Sequence, residues 1–327
     1  MLLHSVLVTT VISLVRAATI DVANANQDPA PAALPAPFSD ASSSQSDENI
    51  YATPTTRDQV GRIVVPVMVN DQGPFRFVVD TGANRSVLAA HMPQRLGLSV
   101  VGEEEVSLSG VTGEAVVPTV SVRRVQAGAL LLLNVSMPVI NATMKGIDGV
   151  LGVEGLADKR LTVDFANDRI SIDRSSKAAA PRDFVVLPVR FRHGQLLVVD
   201  AMVGRVKTKA VIDTGAEGSL GNDPLRAALQ RQASGERRTG SASIEGVTAD
   251  VQQGETETAP LIRFQGVEID GIEIAYGNFH VFKLWDLERT PALLVGMDVL
   301  GTVETLVIDY RRRELQIKPR EKSGRSR

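Results

Sequence analysis

The tetrapeptide Asp-Thr-Gly-Ala occurs twice in this chain, at Asp80–Ala83 and Asp213–Ala216, and each copy ends an apolar run. Superimposing the copies aligns far more than four residues, which restricts the chain to folds that use one unit twice. Upstream of the first lie Ile63–Asn70 and Pro74–Val79 about a turn at Asp71-Gln72-Gly73; upstream of the second, Leu196–Val203 and Val206–Ile212 flank Gly204-Arg205. These alternating or continuous apolar, β-branched runs predict strands. A short helix is expected after each copy, at His91–Leu96 and opening at Asp223-Pro224, with Asp223 as N-cap and proline behind it. Each half then has a glycine-bearing hairpin (Ser109–Gly113, Glu245–Thr248) and an apolar segment ending in glycine (Asp148–Gly152, Leu293–Gly296). A closing strand pair follows in both: Leu161–Phe165 with Arg169–Ile172, and Leu306–Tyr310 with Glu314–Ile317.

The expected architecture is therefore mostly β, with homologous lobes at 59–175 and 183–319 joined by the polar Ser175–Arg182. A chain of 327 residues with 43% hydrophobic side chains is long enough for two such units. A net charge of −3, from 35 basic and 38 acidic residues, gives no reason to expect nucleic acid or an anionic membrane as partner. The basic tail, 320–327, reads as a solvated end. Cysteine is absent, which excludes disulfides and thiol chemistry without fixing the compartment. Residues 1–17 read as a signal peptide: Leu2–Val15 is largely apolar, and Val15-Arg16-Ala17 sets small side chains at the −3 and −1 positions of a cleavage site. The run falls short of the ~18 residues of a membrane span, and its leading segment has no Lys or Arg, only His4, so an uncleaved N-terminal anchor stays open. Export to the periplasm or the exterior is expected. Residues 18–58, rich in Ala, Pro, Ser, Asn and Asp, read as a disordered linker, and Ala18–Thr56 lacks the Lys or Arg of an inhibitory pro-segment.

At these motifs the chain resembles the retropepsin-like and pepsin-like aspartic proteases, over nearly everything from Ile63 to Ile317. Ala after Asp-Thr-Gly is the retropepsin form, and Asp148–Gly152 is similar to the second signature segment of pepsin lobes. With both halves fused, the chain looks most like bacterial exported single-chain retropepsin-like proteases. The resemblance implies two β-barrel-like lobes, one aspartate from each, and a cleft between them.

Two carboxyls about 3 Å apart cannot both ionise, so a pair formed by Asp80 and Asp213 would share one proton and titrate as a unit. Such a pair activates water for attack on a peptide carbonyl with no metal and no cofactor. By resemblance, Thr81 and Thr214 would cross between lobes to bond the opposing backbone. Gly82 and Gly215 would bring N–H groups to the carboxylates, and Gly152 and Gly296 would pack under the aspartates. Gly110 with Val111 and Gly246 with Val247 are flap candidates that close over substrate. Ala83, Asn84, Ala216 and Glu217 are expected at the substrate. Alanine at 83 and 216 cannot donate a hydrogen bond to the carboxylate, which predicts a mildly acidic to neutral optimum. Retroviral enzymes have Asp after Asp-Thr-Gly-Ala and Arg after the apolar glycine segment; here Asn84 and Glu217, with Val153 and Met297, stand instead. Neither flap candidate carries the tyrosine of a pepsin flap.

The four histidines show no metal-ligand spacing, Gly149, Gly152 and Gly155 lack the order of a nucleotide fingerprint, and Trp285 reads as core. Of three Asn-x-Ser/Thr sequons, Asn84 would put a glycan in the cleft. The expected activity is that of a monomeric aspartic endopeptidase acting on a polypeptide, an extracytoplasmic protein by the export signal. A catalytically silent peptide-binding or regulatory module on the same fold is the alternative.

Overall fold

The computed structural model describes residues 61–100, 105–141, 146–193, 196–232, 239–248 and 250–320, with the backbone of four short strands, Val8–Thr9, Leu14–Ala17, Ala52–Pro54 and Thr56–Arg57. The expected signal peptide, linker and last residues of the tail otherwise lie outside the described residues. Among those described, no helix is long and apolar enough to cross a membrane.

The chain is mostly β, and each half builds its own sheet in the same order. In the first, nine-stranded sheet, Glu114–Ala127 is followed by Leu130–Ile140, Val87–Ala89, Gly149–Leu151, Gln72–Val79 and Ile63–Val69. In the eleven-stranded sheet, Val251–Thr258 is followed by Glu273–Tyr276, Leu220–Gly221, Ala292–Val295, Val206–Ile212 and Leu196–Val203. The first sheet curls back on itself, because Glu114–Ala127 also pairs with Ile63–Val69. The apolar segment before each of the repeat-matched glycines, Gly152 and Gly296, runs parallel to the strand that leads into the motif, Val150 beside Val78 and Leu294 beside Val211. These central strands are covered on both faces, which is why they read as continuous apolar runs rather than alternating ones. Val67, Val69, Phe77, Val211 and Leu294 are all fully buried, each worth roughly 1.5–3 kcal/mol of apolar transfer.

A six-stranded sheet joins the halves. Lys159–Asp164 of the first half pairs with Thr305–Asp309 of the second, and their hairpin partners Arg169–Arg174 and Glu314–Lys318 extend it on either side.

Four local readings change. The first hairpin turns at Asn70-Asp71, not Asp71–Gly73; both residues take positive φ (49° and 62°), as a tight two-residue turn demands, so the strand starts at Gln72. The second helix, Asp223–Gln230, is capped by Asn222 rather than Asp223: the Asn222 side chain accepts from Leu225 N–H at 3.0 Å and donates to the Leu287 and Thr290 carbonyls. The carboxamide has both donors and acceptor, which a carboxylate lacks. The end of the expected linker is ordered into edge strands, Ala52–Pro54 on Arg169–Arg174 and Thr56–Arg57 on Ile63–Val69; a sheet edge tolerates Pro54. Within the expected leader, Val8–Thr9 pairs with Glu105–Ser109 and Leu14–Ala17 with Thr239–Glu245.

Candidate active site

Each aspartate is delivered by a strand end. Asp80 N–H bonds the Leu151 carbonyl and Asp213 N–H the Val295 carbonyl, both at 3.0 Å, so the parallel apolar strand fixes where the chain stops being sheet. The next two residues fold back on the side chain. Asp80 Oδ1 accepts from Gly82 N–H (2.8 Å) and Ala83 N–H (3.0 Å); Asp213 Oδ1 accepts from Gly215 N–H (2.8 Å) and Ala216 N–H (3.2 Å). The turn must be glycine at 215, because a Cβ there would lie 2.4 Å from Asp80 Cγ. That contact also shows how closely the two motifs approach.

The threonines lock the halves across the pseudo-twofold axis. Thr81 Oγ1 donates to Ile212 O (2.8 Å) and accepts from Thr214 N–H (3.1 Å); Thr214 Oγ1 donates to Val79 O (2.7 Å) and accepts from Thr81 N–H (3.2 Å). All four bonds are buried and join residues far apart in sequence. They place the two carboxyls within hydrogen-bonding reach of one another.

Both aspartates are 0% exposed. Burial raises the Asp80 carboxyl well above its usual range and the Asp213 charge adds to this, against the Gly82 and Ala83 N–H groups. Burial also pushes Asp213 up, to about 7, opposed by the Gly215 N–H, the bond with Asp80, the Ala216 N–H and the charge of Arg62. Each Oδ2 is buried without a protein donor. One proton held between the carboxyls relieves both the like-charge repulsion and the unsatisfied oxygens.

The two glycine hairpins meet tip against tip. A Cβ on Gly110 would sit 3.1 Å from Val247 Cγ2, and one on Gly246 would sit 2.6 Å from Thr112 Oγ1. The tips cross over. Val111 packs in the second half's cluster with Ala216, Leu220 and Trp285, and its carbonyl accepts from Val281 N–H at 3.2 Å. Val247 packs in the first half's cluster with Ala83, Val87 and Val150. Trp285 is core, edge-on to Phe282.

Asn84 and Glu217 are half-buried; Asn84 lines a narrow cleft with His193 and Trp285. Gly152 and Gly296 sit one layer down. A Cβ would meet the Arg85 backbone at 2.6 Å or the Gly218 backbone at 2.7 Å, so these glycines fit against the loops that follow the motifs rather than against the aspartates.

Sequence reading missed several neighbours. Arg62, 3% exposed, sets a positive charge near Asp213. Buried Tyr310 stacks on Phe191 at 5.8 Å, and the Asp80 charge, after burial, raises its hydroxyl. Ser86 with Glu154, and Ser219 with Asp298, pair within the loops behind the dyad. The repeat itself carried that last signal, since both serines and both carboxylates fall at matching places in the two copies.

Two barrel-like β lobes, each presenting one aspartate from an Asp-Thr-Gly turn beneath a hairpin, are the architecture of the acid proteases. In agreement, residues 65–154, which include Asp80, the first glycine hairpin and Gly152, match the family model described as aspartyl protease. No curated protein matches the chain.

Proposed function

We propose that this chain is an aspartic endopeptidase in which Asp80 and Asp213 together activate a water molecule. The observation that carries the reading is the pair itself: two fully buried carboxyls from repeat-related turns, within hydrogen-bonding reach and both raised in pKa. In the singly protonated state the ionised carboxyl takes a proton from water as that water attacks the scissile carbonyl. The protonated carboxyl donates a hydrogen bond to the carbonyl oxygen, and a carboxyl then protonates the leaving nitrogen. The N–H groups on each Oδ1 hold the carboxyls in place throughout. With Val111 and Val247 packed in the clusters that hold Ala216 and Ala83, the hairpins act as flaps that part to admit a polypeptide and close to exclude bulk water.

Both aspartates reside in one chain, so a monomer suffices. The N-terminal apolar run favours export and hence an extracytoplasmic protein substrate. Incubation of the full chain with an undirected peptide mixture across pH 4 to 9, beside Asp213→Asn, tests the reading. Cleavage by the wild type alone, blocked by a statine-type inhibitor, is the expected result; a folded wild type that cleaves nothing overturns it.

A further inference from the structure

Behind the dyad the duplication repeats a second polar arrangement. In the second half, Asp298 Oδ1 accepts from the Ser219 hydroxyl (2.7 Å) and Val299 N–H (2.8 Å), while Oδ2 accepts from Ser219 N–H (3.0 Å). Ser219 Oγ in turn accepts from Gly296 N–H (3.1 Å). In the first half, Glu154 Oε1 accepts from Ser86 N–H (2.6 Å), and Ser86 Oγ accepts from Gly152 N–H (3.1 Å). The loop carbonyls complete the link: Ala83 O accepts from Val153 N–H and Ala216 O from Met297 N–H, both at 2.9 Å. Ala83 and Ala216 are the same residues whose N–H groups bond the dyad carboxylates.

We infer that Glu154 and Asp298 are positioning residues for the dyad. Each clamps the loop carrying its half's aspartate, through Ser86 or Ser219, and thereby sets the N–H donors on Asp80 and Asp213. Burial raises both carboxyls, opposed mainly by the serine bonds. The two clamps differ in strength. Asparagine at 298 would face an N–H donor in either orientation, Val299 or Ser219. Glutamine at 154 could keep its oxygen on Ser86 N–H and leave its amide at the unpartnered Oε2 position.

The inference rests on the dyad chemistry above, but its test does not need turnover. Aspartate carboxyl resonances of the full chain, carbon-13 labelled, would be titrated in the wild type, Asp298→Asn, Ser219→Ala, Glu154→Gln and Ser86→Ala. Loosened N–H donors stabilise the ionised dyad less, so its apparent pKa should rise by about half a unit or more in Asp298→Asn and Ser219→Ala, and less in Glu154→Gln. Removal of a nearby negative charge alone would move it the opposite way. Where the wild type cleaves peptides, Asp298→Asn should also lower kcat about tenfold at constant KM. A dyad titration unchanged or lowered in folded Asp298→Asn and Ser219→Ala overturns the inference, and Ser86→Ala gives an independent answer if the second-half variants do not fold. A raised titration in a wild type without turnover supports the clamp and sinks the protease reading, so the two failures are distinct.

Discussion

The two halves agree where they meet and differ where they face away. At the dyad, the Oδ1 bonds of Asp80 and Asp213 match within a few tenths of an ångström, and the threonine exchange is reciprocal. One layer out, the match is looser. Asp298 accepts three hydrogen bonds where Glu154 leaves Oε2 unpartnered. The positive charge of Arg62 acts on Asp213. Val111 enters an aromatic cluster, Val247 a smaller aliphatic one. A shared proton needs two carboxyls held close together, and nothing about a ligand requires the surrounding walls to be alike. Duplication fixed the first, and divergence was free to act on the second.

The most severe break in this comparison is at the carboxyls. Asp80→Asn and Asp213→Asn should each lower kcat/KM at least about a thousandfold, equally, with the fold checked by circular dichroism; a tenfold difference between them would mean that one aspartate carries the chemistry. The same variants sharpen the electrostatics. The Asp213 carboxyl ordinarily titrates at 3.8 and is raised in the fold to about 7. The fold therefore favours its neutral form: that stability is fully present below 3.8 and is lost as pH rises through about 7. Asp213→Asn should match the wild type near pH 4 and exceed it by roughly 2–4 kcal/mol near pH 8 in denaturant titrations. On the activity side, kcat/KM should fall as the pH drops far enough for the dyad, which titrates as a unit, to gain its second proton. Next in size, Thr81→Ala and Thr214→Ala should each cost about 1–3 kcal/mol, similarly, and the double variant less than their sum because they share bonds. The smallest effect tests the flaps. Val111→Ala and Val247→Ala should each cost about 1 kcal/mol, and Val111→Ala should speed hydrogen exchange at the Val281 amide, whose acceptor is the Val111 carbonyl.

Much of this arrangement is legible in the sequence because a repeat exposes it. The Asp-Thr-Gly copies, the hairpins and the apolar glycine segments keep their order along the chain, and the strands so matched take matching places in the two sheets. Local chemistry with two solutions is less legible. Asn222 and Asp223 are both acceptable caps, and only the buried carbonyls of Leu287 and Thr290, distant in sequence, decide for asparagine. Asn70-Asp71 competes with a glycine next door that usually marks the turn. The crossing of Val111 and Val247 into opposite halves is a tertiary fact with no local signature. Ser86, Glu154, Ser219 and Asp298 were visible as matched positions, but two serines and two acids have no meaning until the backbone brings them together.

The six-stranded sheet carries a consequence for the timing of synthesis. Arg160 is in register with Asp309, and Thr81 bonds Ile212, so neither half can complete its contacts until the last strands of the chain exist. The first aspartate is made early but has no partner until residue 213 emerges, and no lasting clasp until Thr305–Asp309 and Glu314–Lys318 dock. A polypeptide cut short before residue 213 holds one lone carboxyl that cannot share a proton, and one cut short before those strands lacks the sheet that joins the halves. The joined pair of carboxyls proposed as the catalytic centre is thus withheld from unfinished copies.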